Sequence, residues 1–311
     1  MTMKLLIDTD PGVDDALAIL MAHAHADVVA MTIAAGNVGL RHTVANALKL
    51  VEVLDVDTPV HPGCEQPLVL PAADAAFVHG ADGFGDTGYD APQRLASGEH
   101  AALAILRLSH EHAGELTLIA LGPLTNLALA LRLDPTLPGR IKRLLIMGGA
   151  VNGRGNTHRV PAEFNIGFDP EAAHVVFSGW PMVELIDWEA TMRHGLDYAE
   201  LEHWLSADTA EAGFYAAISR RTRTWALEHG RKRLLSADAL AMAVALDPGI
   251  VSEAEERHVG IELAGSLTRG ATVVDWDDRM GRPANARIIL AVDQARFESL
   301  VRSGLDRTTR K

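Results

Sequence analysis

Short apolar runs alternate with amphipathic stretches along most of the chain, the pattern of βαβ units built around a mainly parallel sheet. Leu5-Leu6-Ile7 predicts a first strand, broken by the turn residues Asp10-Pro11-Gly12. A helix follows near Val13, with Ala16, Leu17, Ile19, Leu20 and Met21 on a broad apolar face. Further strands are predicted at 28–35, 116–121, 141–147 and 182–186, with a short extended piece at 59–62. Helical patterns cover 43–54, 101–111, 124–133, 170–177, 196–205, 209–227 and 238–245. The tail changes character: 259–263, 271–274 and 287–292 predict strands joined by Gly-containing turns, before a last helix near 294–302.

Residues 62–98 lack periodicity and are rich in Pro, Gly, Ala and Asp. So long a stretch inside a compact domain is usually functional or disordered, and His79-Gly80-Ala81-Asp82-Gly83-Phe84-Gly85-Asp86 predicts an ordered loop. With no repeat and no linker, residues 1–311 are expected to form one α/β domain. Its expected architecture is a mixed, mainly parallel, Rossmann-like sheet surrounded by helices.

Composition narrows the function. The 311 residues are 48% hydrophobic and 22% charged, which suits a large core and excludes a disordered or disulfide-stapled chain. The formal net charge of −13 argues against nucleic acid or an anionic membrane surface as a partner. One cysteine, Cys64, permits no intrachain disulfide and fits a reducing compartment. The N-terminus shows no signal-peptide pattern, and no apolar run reaches the ~18–20 residues of a membrane helix. A cytoplasmic location is expected.

Candidate chemistry concentrates in Asp8-Thr9-Asp10-Pro11-Gly12-Val13-Asp14-Asp15-Ala16, where four carboxylates fall within eight residues. The segment joins the first strand to the first helix, and open α/β sheets bind ligands at the carboxyl ends of their strands. The period of two in a strand places Asp8 and Asp10 on one side. Asp14 and Asp15 fall in the first helical turn, where the macrodipole favours an acid by up to ~1 kcal/mol at an exposed site. Two like charges ~4 Å apart repel by about 4 kcal/mol at an effective dielectric near 20. Helix capping therefore leaves the grouping unexplained: some acids are neutral, or a cation sits among them. All-oxygen ligands select Ca2+ or Mg2+ over zinc. An Asp-x-Asp after a first strand also marks haloacid dehalogenase-type phosphoryl transfer, but Pro-Gly-Val-Asp-Asp replaces the Gly-Thr expected there.

The segment Asp8 to Ala16 matches the opening signature of the nucleoside hydrolases throughout, and the chain resembles that inosine–uridine-preferring ribohydrolase family. Gly36-Asn37, Gly122-Pro123-Leu124-Thr125-Asn126, Met147-Gly148-Gly149, Gly155-Asn156, Ala162-Glu163-Phe164-Asn165 and Asp169-Pro170-Glu171-Ala172-Ala173 follow in the family order, over roughly residues 4–250. The resemblance implies the nucleoside hydrolase fold and Ca2+-dependent hydrolysis of ribonucleosides to ribose and free base. It assigns Ca2+ to the carboxylates of Asp10, Asp15 and Asp238 and the backbone carbonyl of Thr125, with Asp10 also the base that activates a water at the metal. Asp14, Asn37, Asn156, Glu163 and Asn165 would hold the ribose hydroxyls, and Met147 would line the pocket beside the sugar. His79 and Phe164 would lie near the base. A ribonucleoside substrate, a role in nucleoside salvage and a homodimer or homotetramer are implied as well.

The match fails at the leaving group. The best-known branch carries a His immediately before the late Asp ligand; here the run is Leu235-Ser236-Ala237-Asp238, and Ala237 has no proton to give. Nor does a Trp adjoin Asp238, as stacking in the purine-specific branch would require. Candidates upstream are Trp225, His229 and Arg231, of which His229 is the natural acid, with an unperturbed pKa near 6.5. Glu189 is a further candidate for facing the base, while Arg231 with its basic neighbours also reads as a solvated face or interface. Two other readings stay open: a ribose- or nucleoside-binding protein with negligible turnover, and a hydrolase of a modified ribosylated metabolite.

Overall fold

The computed structural model describes residues 2–306. The first half of the chain runs β1 (Lys4–Thr9), α1 (Val13–His25), β2 (Asp27–Ile33), α2 (Leu40–Val53), β3 (Val60–Pro62), α3 (Ala76–His79), α4 (Ala101–Glu111), β4 (Leu116–Ala120), α5 (Thr125–Leu133) and β5 (Arg143–Met147). Then come α6 (Phe164–Phe168), α7 (Pro170–Gly179), β6 (Val183–Ile186), α8 (Trp188–Arg193), α9 (Tyr198–Leu205), α10 (Ala210–Glu228) and α11 (Ala237–Leu246). The tail holds β7 (Val251–Arg257), β8 (Val259–Ile261), β9 (Thr272–Val274), β10 (Ala286–Val292) and α12 (Gln294–Leu305).

Eight strands form one sheet in the order β3-β2-β1-β4-β5-β6-β10-β7. All neighbours pair in parallel except β7, which runs antiparallel to β10 at the edge. The expected mixed, mainly parallel sheet is the one found. Strand periodicity explains how it is covered on both sides. Leu5 and Ile7 of β1 join Met31, Ile33 and Ile119 in a core shared with α1, α11 and α12. Leu6 points the other way, with Ala30, Leu118 and Ala120, into a core shared with α4, α5 and α7.

The chain leaves β1 for β2 and β3 on one side, then returns to place β4 on the other. The loops after β1 and β4 therefore diverge, opening a crevice at their carboxyl ends. Asp10 sits buried just beyond the carboxyl end of β1, and α1 begins three residues later.

Several predicted elements differ. β8 and β9 are strands as predicted, slightly shorter, and they pair with each other in a separate two-stranded ribbon. β7 was not expected at all: its sequence, Val-Ser-Glu-Ala-Glu-Glu-Arg, has almost no apolar face. As an edge strand it needs none, and charged side chains protect such an edge from pairing with another chain. Within 62–98 the one helix is the four-residue α3, and the short α6 and α8 also escape periodicity because they span too few turns.

α12 crosses α1 closely at Gly304, where an added Cβ would lie 2.8 Å from Met21 Cγ and 3.0 Å from Met21 Cα. Gly304→Val is expected to destabilise the protein by about 1–3 kcal/mol through overpacking against the helix that carries Asp14 and Asp15. Denaturant unfolding measures this, and unchanged stability would show that the two helices have slack.

Candidate active site

β1 ends at Thr9, so Asp10 lies just beyond the strand and its side chain is no longer bound by the strand period. Asp8, against the expectation that it shares a side with Asp10, turns to Thr32 and Asn126, whose side chains both donate to its Oδ1 (2.7 and 2.9 Å). Asp10 instead meets the loops after β2 and β4. Its Oδ2 accepts from the Asn37 backbone N–H (2.6 Å). A Cβ at Gly36 would overlap Asp10 Oδ2, and one at Gly122 would overlap Oδ1, so both glycines are required by close approach to this carboxylate.

Asp15, in the first turn of α1, is held on every side. Its Oδ1 accepts from the Thr9 hydroxyl (2.5 Å), and its Oδ2 from Gly12 N–H (2.9 Å) and Asn37 Nδ2 (3.0 Å). Asp238, in the first turn of α11, arrives from over 220 residues away, because α11 packs along α1. Carboxylate oxygens of Asp14, Asp15 and Asp238 come within 4.8 Å of one another. Burial, reinforced by Asp15 and Asp14, lifts the Asp10 carboxyl well above its ordinary range. Burial and the charges of Asp14, Asp15 and Asp10 do the same to Asp238. Asp14 is pushed up to about 6 by burial.

Asp10 Oδ1 and Asp14 Oδ1 are buried without a hydrogen-bond partner. These crowded carboxylate oxygens, with only the His79 ring nitrogen near them (3.9 Å from Asp14 Oδ1, its Nδ1 lone pair taken by Val13 N–H), fit a hard divalent cation, which would supply the missing partner and cancel the repulsion.

Above the acids lies a cavity lined at this end by Asp14, Asn37, Met147, Asn156, Asn165 and Asp238. Glu163 also lines it but serves its own backbone: its carboxylate caps α6 through Asn165 and Ile166 N–H (2.9 and 3.1 Å) and accepts from Gly149 N–H (3.0 Å). Burial lifts it to about 7. Asn165 Nδ2 donates to the Leu121 carbonyl (2.6 Å), which leaves its Oδ1 for a ligand. His79 and Phe164 line the wall. His79 Nδ1 accepts from Val13 N–H (3.1 Å), so its proton sits on Nε2, and burial pushes its pKa down to about 4.

Most of the residues singled out in the sequence thus line one cavity, Trp225 and Arg231 among them, with Asp10 and Asp15 buried against its acidic end. Thr125 is buried at the start of α5, where its hydroxyl donates to Asp169 Oδ2 (2.8 Å). His229 does not reach the lining: it caps α10, donates from Nδ1 to the Trp225 carbonyl (2.8 Å) and stacks on the Trp225 ring at 4.3 Å. Glu189 is committed to Asn152 and Arg154 N–H groups of the loop after β5. Phe77, Trp188 and Tyr215 line the cavity and carried no signal in the sequence, since their arrival depends on packing between distant elements.

Residues 5–299 match the family model described as inosine-uridine preferring nucleoside hydrolase. The chain belongs to this family. It is 36% identical over 315 residues to the inosine-uridine preferring nucleoside hydrolase of Leishmania major, covering 99% of this chain and 98% of that one. It is 38% identical to a non-specific ribonucleoside hydrolase of Klebsiella pneumoniae, covering 96% of each. A solved inosine-guanosine nucleoside hydrolase superposes with a TM-score of 0.91 at 35% identity, over 98% of this chain and 99% of that one. Membership of the nucleoside hydrolases makes the protein an enzyme that hydrolyses N-glycosidic bonds of nucleosides.

The raised carboxyls also set a pH dependence. Between about pH 4, the ordinary carboxylate range, and the higher folded values, the folded cation-free chain binds more protons than the unfolded chain. Its stability is therefore present at low pH and lost as pH rises through about 6 for Asp14 and about 7 for Glu163. Chelator-treated protein is expected to melt at lower temperature at pH 8 than at pH 5, and excess Ca2+ should restore the pH 8 melt. A pH 8 melt indifferent to divalent cations would remove the ion from the acid cluster.

Proposed function

We propose that the protein hydrolyses ribonucleosides to ribose and free base in a Ca2+-dependent reaction, with Asp10 as the general base. The observation that carries this reading is Asp10 Oδ1: a buried carboxylate oxygen with no protein partner, beside three further acids at the end of a substrate-sized cleft. Asp10, Asp15, Asp238 and the Thr125 carbonyl would hold the ion, and Asp14 is close enough to Asp15 and Asp238 to share it. When bound, Ca2+ supplies the charge that neutralises the acids, grips the vicinal hydroxyls of ribose and makes nearby water more acidic.

The chain's own residues do the rest. Asn37 fixes Asp10 through Oδ2, so Oδ1 is the oxygen free to take a proton from the attacking water. Water adds to C1′ as the bond to the base loosens, and positive charge spreads over C1′ and the ring oxygen. The acids and the Asn165 amide oxygen stabilise that charge from fixed positions. Asp14, Asn37, Asn156, Glu163 and Asn165 hold the sugar hydroxyls. A buried acceptor left without its hydroxyl costs about 1–3 kcal/mol, which selects ribose over deoxyribose.

Exposed apolar side chains at Leu68, Val69 and Leu70 support a homo-oligomer, and the lone cysteine supports a cytoplasmic setting.

A reducing-sugar assay over inosine, guanosine, adenosine, uridine, cytidine and their 2′-deoxy forms tests the reading. Ribose release that needs Ca2+ is expected, with the deoxy forms slower by roughly 5- to 150-fold, the equivalent of the lost hydroxyl contact. Asp10→Asn should cost roughly 10²- to 10⁴-fold in kcat. Binding of ribose to that variant, measured by calorimetry at saturating Ca2+, should persist. An active Asp10→Asn enzyme would remove Asp10 as the base.

A further inference from the structure

The reaction proposed above leaves one requirement unmet: the departing base needs its developing negative charge taken up. Ala237, beside Asp238, offers neither a proton nor a charge. The cavity is also lined by Trp188, Trp225, Leu234 and Leu235, and the exposed Arg231 is among its lining residues. Arg231 is the one Lys or Arg among the lining residues.

Among the described residues its guanidinium makes no hydrogen bond or ion pair. It lies over the Trp188 ring, with Cζ 6.0 Å from the centroid. Gly230, left-handed at φ 72°, ends α10 and lets Arg231 N–H return to the Ala226 carbonyl (2.9 Å). That turn brings Arg231 to the cavity while His229, two residues earlier, stays stacked on the outer side of Trp225. An arginine with five donors, no partner and an indole beneath it is poised for a planar acceptor pair.

We propose that Arg231 binds the O6/N7 edge of a 6-oxopurine and stabilises it as the departing anion, making Arg231 a catalytic and specificity-determining residue. The inference rests on the reading of the cavity as a ribonucleoside site. As the water oxygen bonds to C1′, the C1′–N9 bond breaks and its electron pair stays on the purine. Asp10 keeps the proton removed from water. The purine leaves as a monoanion, its charge shared with N7 and O6 and paired with the guanidinium, and is protonated by solvent after release. No proton comes from Arg231, which stays charged throughout. The guanidinium fork matches the two acceptors O6 and N7, whereas adenine places an amino donor beside N7 and breaks the match.

Arg231 is exposed, so its replacement leaves the core untouched. The test compares kcat and KM for inosine, adenosine and p-nitrophenyl riboside, whose leaving group is stable as an anion. Arg231→Met should lower kcat on inosine roughly 100-fold and leave p-nitrophenyl riboside within about threefold. The wild-type preference for inosine over adenosine should collapse in the same variant. Arg231→Lys should fall between, and added guanidinium ion should restore part of the inosine activity of Arg231→Met.

Equal losses on inosine and p-nitrophenyl riboside, a change confined to KM, or no wild-type preference for inosine over adenosine would overturn the assignment while leaving the hydrolase reading intact. Failure of the wild type to release ribose from any nucleoside would overturn both.

Discussion

Like charges held together where little water reaches them are the constraint on which this structure turns. Asp10, Asp15 and Asp238 are almost wholly buried and Asp14 partly so; burial lifts all four carboxyls, and the charges of Asp14 and Asp15 lift Asp10 and Asp238 further. Among the described residues no Lys or Arg pairs with them; His79 Nδ1 comes within 3.9 Å of Asp14 Oδ1, but burial pushes its pKa down to about 4. Such a grouping is costly in a protein without a further positive charge. The cost is tolerated where the same oxygens serve a ligand, and the cleft above them is where a ligand would sit.

The backbone is shaped to this cluster at several removes. Gly36 and Gly122 leave room for Asp10 that any side chain would occupy. Asn37 donates its N–H to Asp10 and its amide to Asp15, so one residue after β2 sets the distance between two acids. The divergence of the β1 and β4 loops creates the crevice, and the packing of α11 on α1 brings the last acid across it. Gly36 and Gly122 support the acids from outside the cavity lining, whereas Asn37 and Asp238 are part of it.

The two ends of the cavity are built on different principles. At the acidic end, Asp10 and Asp15 are short side chains held by the backbone N–H groups of Asn37 and Gly12 at strand and helix ends. The other end is formed by large side chains from α3, α8 and α10, tied by single contacts such as the Phe77–Trp225 edge pair and Thr222 donating to the Val78 carbonyl.

That difference explains what could be read from the chain. Asp8 to Ala16 is contiguous, and a strand, a tight turn and a helix start can be recognised from local order alone; the sheet and its flanking helices follow from apolar periodicity. The side to which Asp8 turns was misjudged because the strand period ends one residue before Asp10. β7 was invisible because an edge strand pairs through its backbone and needs no apolar face. His229 and Arg231 are two residues apart in a basic, aperiodic stretch, and nothing local distinguishes them. The left-handed turn at Gly230 and the indole of Trp188, from an element 40 residues upstream, decide which of the two reaches the cavity. Composition and local pattern fix what depends on neighbours in sequence; a cavity wall depends on which distant side chains the packed core brings face to face.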